Sequence, residues 1–315
     1  MSFRPFHDAD GGADRPLPGN EPARSPLLRP ELKRNLWFPS DGGIALRLSR
    51  RWRPMIAGLA RLGPLLLASR NEAAILGHYG PYPAIPDGEG DRFFSGDGNF
   101  FFELLRWHHA RVREQPYPGG PGYSVEFRNV DGNLFHKVCL TPESDFPAFL
   151  AWTAAHQAIG VEGIPVPVPD FSAFKGAPPE PPESPQGKEK KEEEGTCASD
   201  VAALYLALRH LMHAGLEVSV TLGGSGFGHT HAWRFAKVGL CDGWAYAADD
   251  RSVFHVRLAS VAALDVAPRW WEPGEPLGVA ALGARGETLF RLAPGPGQHP
   301  AEWNHLLKSS FRARL

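Results

Sequence analysis

The second half of this chain repeats the first, and that duplication limits its fold more than any other feature. Setting the turn glycine Gly286 on Gly132, 154 positions earlier, lays GVAALGARGETLFRLA over YSVEFRNVDGNLFHKVCLT. The same offset lays VFHVRL (Val253 to Leu258) over NFFFEL (Asn99 to Leu104), and HPAEWNHLLKSS over SDFPAFLAWTAAHQ. A repeated unit that cannot bury its apolar face alone packs on its own copy, so a pseudo-twofold molecule is expected. In the first copy Tyr123, Val125 and Phe127 alternate with polar residues, Asp131-Gly132 signals a tight turn, and Leu134 to Leu140 returns as a second strand. A helix follows, with Ser144 or Asp145 at its cap and Phe146, Phe149, Leu150 and Thr153 at helical spacing. The expected class is α+β, a tandem duplication of two antiparallel β-sheet units each with flanking helices.

Composition sets the boundaries. Residues 1–40 mix proline, glycine and charge without period and read as a poorly ordered arm. The first repeat takes 41–160, opening with a helix whose Trp52, Ile56, Leu59 and Leu62 form one stripe before Gly63-Pro64. The proline-rich and then charged run PVPVPDFSAFKGAPPEPPESPQGKEKKEEE marks 161–198 as a linker. The second repeat, 199–315, begins with a helix capped by Ser199 or Asp200. Val201, Leu204, Leu208, Leu211 and Met212 form its apolar face, and Gly215 ends it.

With 22% charged residues and a formal net charge of −2, the chain has no basic footprint for nucleic acid or an anionic membrane. Its start, MSFRPFHDADGG, lacks the apolar core of a signal peptide, and no run approaches the ~20 apolar residues of a membrane span. The expected compartment is the cytoplasm, without membrane insertion. Cys139, Cys197 and Cys241 are widely spaced with no CxxC, which reads as three free thiols. No phosphate loop, nucleophile and base, or paired-carboxylate motif points to a particular reaction.

The stretch FGHTHAWRF carries the most suggestive chemistry. On a strand, His229, His231 and Trp233 share one face. Two imidazoles ~7 Å apart are compatible with a metal site completed by His255 or Asp249, with haem, or with a core position. Of His108 and His109, adjacent on a strand, at most one faces a pocket lined by Phe100, Phe102 and Trp107. His136 shares a face with Leu134 and Val138 and reads as a core histidine, which turns Lys137 the other way, toward solvent or an anion.

The stretches LARLGPLLLASRNEA with Gly80 and Tyr82, SVEFRNVDGNLFHKVCLTPESDFPAFLAW, HAGLEVSVTLGGSGFGHTHAWRF and GETLFRLAPGPGQHPAEWNHLL resemble the hemin-degrading factor family of bacterial haem-utilisation proteins, of HemS/ChuS type and related to the ChuX type. They cover roughly residues 50–156 and 203–308. The resemblance implies a HemS-like tandem fold and a cytoplasmic protein that binds hemin (haem b), exchanges it with a haem-donor or haem-acceptor protein, and in some members opens the porphyrin ring. It also implies roles for particular residues: Lys137, in the family's His-Lys pair, as a partner of a propionate, Arg92 as a partner of propionates or of the distal side of the iron, and His231 and His255 at strand histidines of the family. The family's usual axial ligand lies between the repeats, where this chain has no histidine from Gln157 through Arg209. Haem, if bound, is then expected on a strand histidine: His231 first, beside Trp233, followed by His255 and His109. A haem-free binding or scaffold module and, more distantly, a metal-dependent enzyme on a histidine-rich sheet are the competing readings.

Overall fold

The computed structural model describes residues 45–117, 120–158, 197–224, 226–268 and 276–311. The expected arm at 1–40, and all but the last two positions of the expected linker, lie outside them. The first half runs β1 (Ala45–Arg47), α1 (Trp52–Leu59), β2 (Pro64–Arg70), β3 (Ala74–Pro81), β4 (Arg92–Phe94), β5 (Phe100–Glu103), β6 (Trp107–Tyr117), β7 (Gly120–Asn129), β8 (Leu134–Leu140) and α2 (Phe146–His156). The second runs α3 (Cys197–His213), β9 (Glu217–Gly224), β10 (Phe227–Arg234), β11 (Lys237–Cys241), β12 (Trp244–Ala248), β13 (Ser252–Arg257), β14 (Ala263–Pro268), β15 (Leu277–Leu282), β16 (Thr288–Pro294) and α4 (Pro300–Ser310). The repeat holds in detail. Gly132 and Gly286 turn their hairpins at φ of +79° and +78°, the left-handed region that glycine enters without a Cβ clash.

All pairings are antiparallel, in two sheets. A nine-stranded sheet has the order β1-β6-β7-β8-β2-β3-β13-β12-β11, and a seven-stranded sheet the order β14-β15-β16-β9-β10-β5-β4. The halves therefore exchange strands. β5 of the first half pairs with β10 of the second, while β13 of the second pairs with β3 of the first. The repeat does not announce this, because hydrophobic alternation specifies which face a strand buries and not whose edge it joins.

The exchange brings the inner faces of the sheets together. At one end Met55, Ile56 and Leu59 of α1 and Phe149 and Trp152 of α2 pack on Leu65, Leu67, Val125, Phe127 and Val138, joined by Phe100, Phe102 and Phe227 of the other sheet. At the opposite end Leu204, Leu208 and Leu211 of α3 and Trp303 and Leu307 of α4 close a core that includes Val218, Val220, Leu292, Phe254 and Val256. The cap of α2 is Asp145, whose Oδ1 accepts from the Ala148 amide at 2.8 Å, with proline in the first turn. Its buried residues are Phe149 and Trp152. Leu150, expected in the apolar stripe, is 52% exposed, on the side of α2 away from Phe149 and Trp152. Contact there is close: a Cβ on Gly58 would lie 2.6 Å from the Trp152 ring.

Since each core contains side chains of both halves, neither half can melt alone without exposing the other's apolar surface. Heating should give one transition, with coincident midpoints by far-UV circular dichroism and tryptophan fluorescence. Two resolved transitions would contradict the shared cores.

Candidate functional site

The pseudo-twofold passes between β3 and β10, and histidines collect there. His78 of β3 and His231 of β10 occupy equivalent places in the two hairpins and stack on each other, ring centroids 4.3 Å apart and nearly parallel at 7°. His229 stacks on Phe100 at 4.3 Å, and His231 on Trp233 at 5.2 Å. Polar atoms link these rings in a line: Tyr82 Oη lies 3.3 Å from His136 Nε2, and Ser69 Oγ lies 3.2 Å from His136 Nδ1 and 2.8 Å from His229 Nδ1. His229 Nε2 then meets His78 Nδ1 at 3.1 Å, and His231 Nε2 meets Ser252 Oγ at 2.9 Å. One ordering satisfies the line from Tyr82 to His78. Each hydroxyl donates to the next imidazole, and each neutral imidazole accepts on one nitrogen and donates from the other.

Such a line works only if the rings carry no charge. Burial, then the neighbouring His231 and His136, pushes His78 down to about 3. Burial takes His136 to about 3 and, with Asp249 pulling the other way, His231 to about 4. His229 is held well below the ordinary imidazole value by burial and by His78, His231 and His136.

The strand FGHTHAWRF forms β10, with His229, His231 and Trp233 on its inner face, and His136 is the hydrogen-bonded core histidine expected. His255 and Asp249 were the expected third ligands of a metal beside them. The third imidazole is instead His78, and among the described residues no three histidine, cysteine or acidic side chains are placed to hold a metal ion. Strand alternation turns His255 to the other face of its sheet, where it packs on Tyr246 at 6.0 Å.

That outer face of the nine-stranded sheet gathers three of the expected residues: His109 on β6, Lys137 on β8 and His255 on β13. Register sets Arg111, Glu126, Lys137, Ala68, Gly77, Val253 and Ala248 side by side across the strands. The face is cationic over β6 to β8. Its middle is apolar, a cluster of Leu66, Ala68, Ile75, Cys139, Ala248 and Val253 with Trp244 against it. Lys137, for which solvent was one expectation, is buried, its Nζ 3.7 Å from Glu126 Oε1. His109 does not look toward Phe100, Phe102 and Trp107, which lie on the inner face; neither it nor His108 fills such a pocket. Burial, then Arg128, His108, Arg111 and Arg47, drives His109 down to about 3.

Arg92 lies on the outer face of the other sheet, at the start of β4, exposed and paired with Glu103. Phe94 and Phe101 lie beside it with centroids 5.2 Å apart. Thr221, Thr230, Ala232 and Ala280 floor that face, and Arg291, the repeat partner of Lys137, stands exposed on it. Among the described residues its strands bring no histidine to this face.

The sequence reading overlooked the buried Arg128 and Glu126, and His78. Alternation in YSVEFRN places Glu126 and Arg128 opposite the core residues Val125 and Phe127, but nothing local says that this second face is buried too. His78 is legible only when β3 is set on β10.

The fold is of a tandem antiparallel α+β class with known members. Residues 36–156 match the sequence model of the haemin-degrading HemS.ChuX domain. Over most of its length the chain takes the fold of two solved proteins. One is ChuS, an Escherichia coli heme oxygenase, with a TM-score of 0.65 and 17% identity over 85% of this chain and 89% of that one. The other is PhuS, a heme-binding protein from Pseudomonas aeruginosa, seen in its holo form with a TM-score of 0.61 and 17% identity over 84% and 86%. No curated protein sequence matches the chain. The resemblance to haem-utilisation proteins is thus carried by a domain match in the first half, and the likeness of fold extends over most of the chain. No helix among the described residues is long and apolar enough to cross a membrane.

In an unfolded chain the four central imidazoles titrate near ~6.5; the fold holds His78, His136 and His231 at about 3 to 4 and His229 well below its ordinary value, so below ~6.5 the unfolded state binds more protons. Stability is therefore full above about 6.5 and falls as pH drops, by on the order of a few kcal/mol per imidazole. The melting temperature should fall steeply between pH 6.5 and 4.5, before ordinary carboxylates at ~4 titrate. A flat melting temperature across that interval would show that the central histidines are not held neutral by the fold.

Proposed function

We propose that the protein binds haem in the cytoplasm and serves haem or iron uptake, with hemin (haem b) its cargo for trafficking, storage or degradation. The HemS.ChuX match and the ChuS and PhuS likenesses support the class of cargo. The observation that carries the reading is the layout of the outer face of the nine-stranded sheet. A flat macrocycle with one anionic edge needs a floor of small apolar groups, cations at one side and an imidazole that stands clear of the floor. Ala68, Gly77, Val253 and Ala248 supply the floor, and Lys137 lies at one side of it. His255 lies on the same outer face of β13, its ring packed on Tyr246 and its Nε2 shielded from solvent, three strand spacings or about 14 Å from β8. Bound haem would supply iron for ligation and redox chemistry.

His255 suits the ligand role better than His231. The His231 ring is sandwiched between His78 and Trp233 with its Nε2 on Ser252, and withdrawing it would break the central line. His109 is hemmed by arginines at the cationic end, away from the apolar floor. Arg92 is committed to Glu103 on the opposite sheet.

Hemin titration of the purified protein should give a Soret shift that survives gel filtration. His255→Ala should lose the histidine-ligated spectrum. His231→Ala should keep it and lower stability by roughly 1–3 kcal/mol, the cost of an orphaned buried polar group. Absence of any Soret shift in the wild type would favour the haem-free module, and loss of the spectrum in His231→Ala alone would return the ligand to β10.

A further inference from the structure

Helix α2 has no polar face, yet it is buried on one side only. Its sequence, FPAFLAWTAAH, includes no aspartate, glutamate, lysine or arginine. Phe149 and Trp152 turn inward onto the core, while Phe146 and Leu150, one turn apart, are 39% and 52% exposed. Pro147, Ala151, Ala154 and Ala155 are exposed beside them. Half-buried Tyr123 of β7 extends the patch, its ring centroid 5.2 Å from that of Phe146. A helix that is apolar all round is ordinarily covered all round, and a contiguous exposed apolar patch marks an interaction surface.

The fold does not require that surface. The repeat partner of α2 is α4, 154 positions on, where Asn304, His305, Lys308 and Ser309 stand in place of Leu150, Ala151, Ala154 and Ala155. Of these, His305, Lys308 and Ser309 meet water. The flanking helices differ too. α3 packs against α4 with 17 residues, whereas α1, at the repeat positions of its last two turns, has 8. The exposed Pro54 and Ala57 of α1 add further uncharged surface.

Exposed charge gathers at the two ends of this helix pair. The Asp145 amide donates to the Leu62 carbonyl at 2.9 Å and the Ser49 amide to the His156 carbonyl at 2.7 Å, so α1 runs antiparallel to α2. Glu143 and Asp145 therefore lie at one end, with Arg61, and Arg50 and Arg51 at the other. A partner must be uncharged along about 16 Å, the length of α2, with opposite charge in reversed order beyond. We infer that the partner is a second copy of this chain, docked α2 against α2. A twofold axis perpendicular to α2 sets the two helices antiparallel, brings Arg50 and Arg51 over the other copy's acidic end, and opposes the helix dipoles favourably. Leu150 then lies near the axis, with Phe146 and Tyr123 further out. The patch is small beside the roughly 800 Å² per partner of a standard interface, so the dimer exchanges with monomer as concentration changes. The outer face of the nine-stranded sheet stays open, because α2 packs on its inner side.

Sedimentation velocity over a dilution series, on wild type and Leu150→Glu, tests the interface. Wild type should pass from dimer to monomer on dilution, and added sodium chloride should shift it toward monomer by screening the charged ends. Leu150→Glu alters a side chain that the fold leaves exposed, so it should keep the wild-type circular dichroism. It should raise the dimer dissociation constant by about 30-fold or more, the size of a central hot spot. Leu150→Asn, Ala151→His and Ala154→Lys together, the residues α4 carries, should likewise give a monomer. Wild type that sediments as monomer at every concentration overturns the second copy as occupant and leaves the face to another protein's apolar helix. A dimer that Leu150→Glu leaves intact overturns α2 as the interface, and one that salt strengthens overturns the antiparallel pairing of its ends.

Discussion

The structure depends on one contact, the meeting of β3 and β10 at the pseudo-twofold, where His78 lies flat on His231. Each strand also carries strands of the other half, β13 on β3 and β5 on β10, so the contact joins the two sheets and the two sequence repeats at once. The interface is polar at its centre and apolar on both sides. Buried imidazoles are tolerated there because Tyr82, Ser69 and Ser252 give them partners and because none carries charge. A dry, uncharged line of hydrogen bonds fixes the register of the sheets more sharply than an apolar contact would, since a slip of one residue would orphan several buried groups together.

Duplication left the molecule with two equivalent outer faces that have since diverged. Lys137 on β8 and Arg291 on β16 are repeat partners. The first is buried in a cluster with Glu126 and two arginines, whereas the second stands exposed above threonine and alanine. His255 has Phe101 as its repeat partner, so an imidazole rises from one outer face and a phenyl ring from the other. On the proposed reading this asymmetry answers the missing histidine between Gln157 and Arg209. Imidazole, cations and floor are all carried by strands of the nine-stranded sheet, and none of them has to come from the segment between the repeats.

Much of the fold was legible because repeats and turns are local signals. The offset between Gly132 and Gly286 placed both hairpins, Ser144-Asp145 marked the start of α2, and alternation in FGHTHAWRF put His229, His231 and Trp233 on one face. The strand exchange was not legible, because the pattern of β5 is satisfied by either sheet edge. The site suffered from the same limit. Lys137 was known to point away from His136, but whether that second face meets water depends on distant parts of the chain. His255 was identified as a strand histidine, and its place beside the apolar floor came only from the pairing of β13 with β3.

The most direct measurement of the central claim is the position of iron in crystals of the hemin-loaded protein, located by anomalous scattering at the iron edge. Iron within bonding distance of His255 Nε2, above the outer face of the nine-stranded sheet and with the macrocycle's carboxylate edge toward Lys137, is the result expected. Iron above the seven-stranded sheet beside Arg92 and Arg291, or between the sheets at His231, would contradict it.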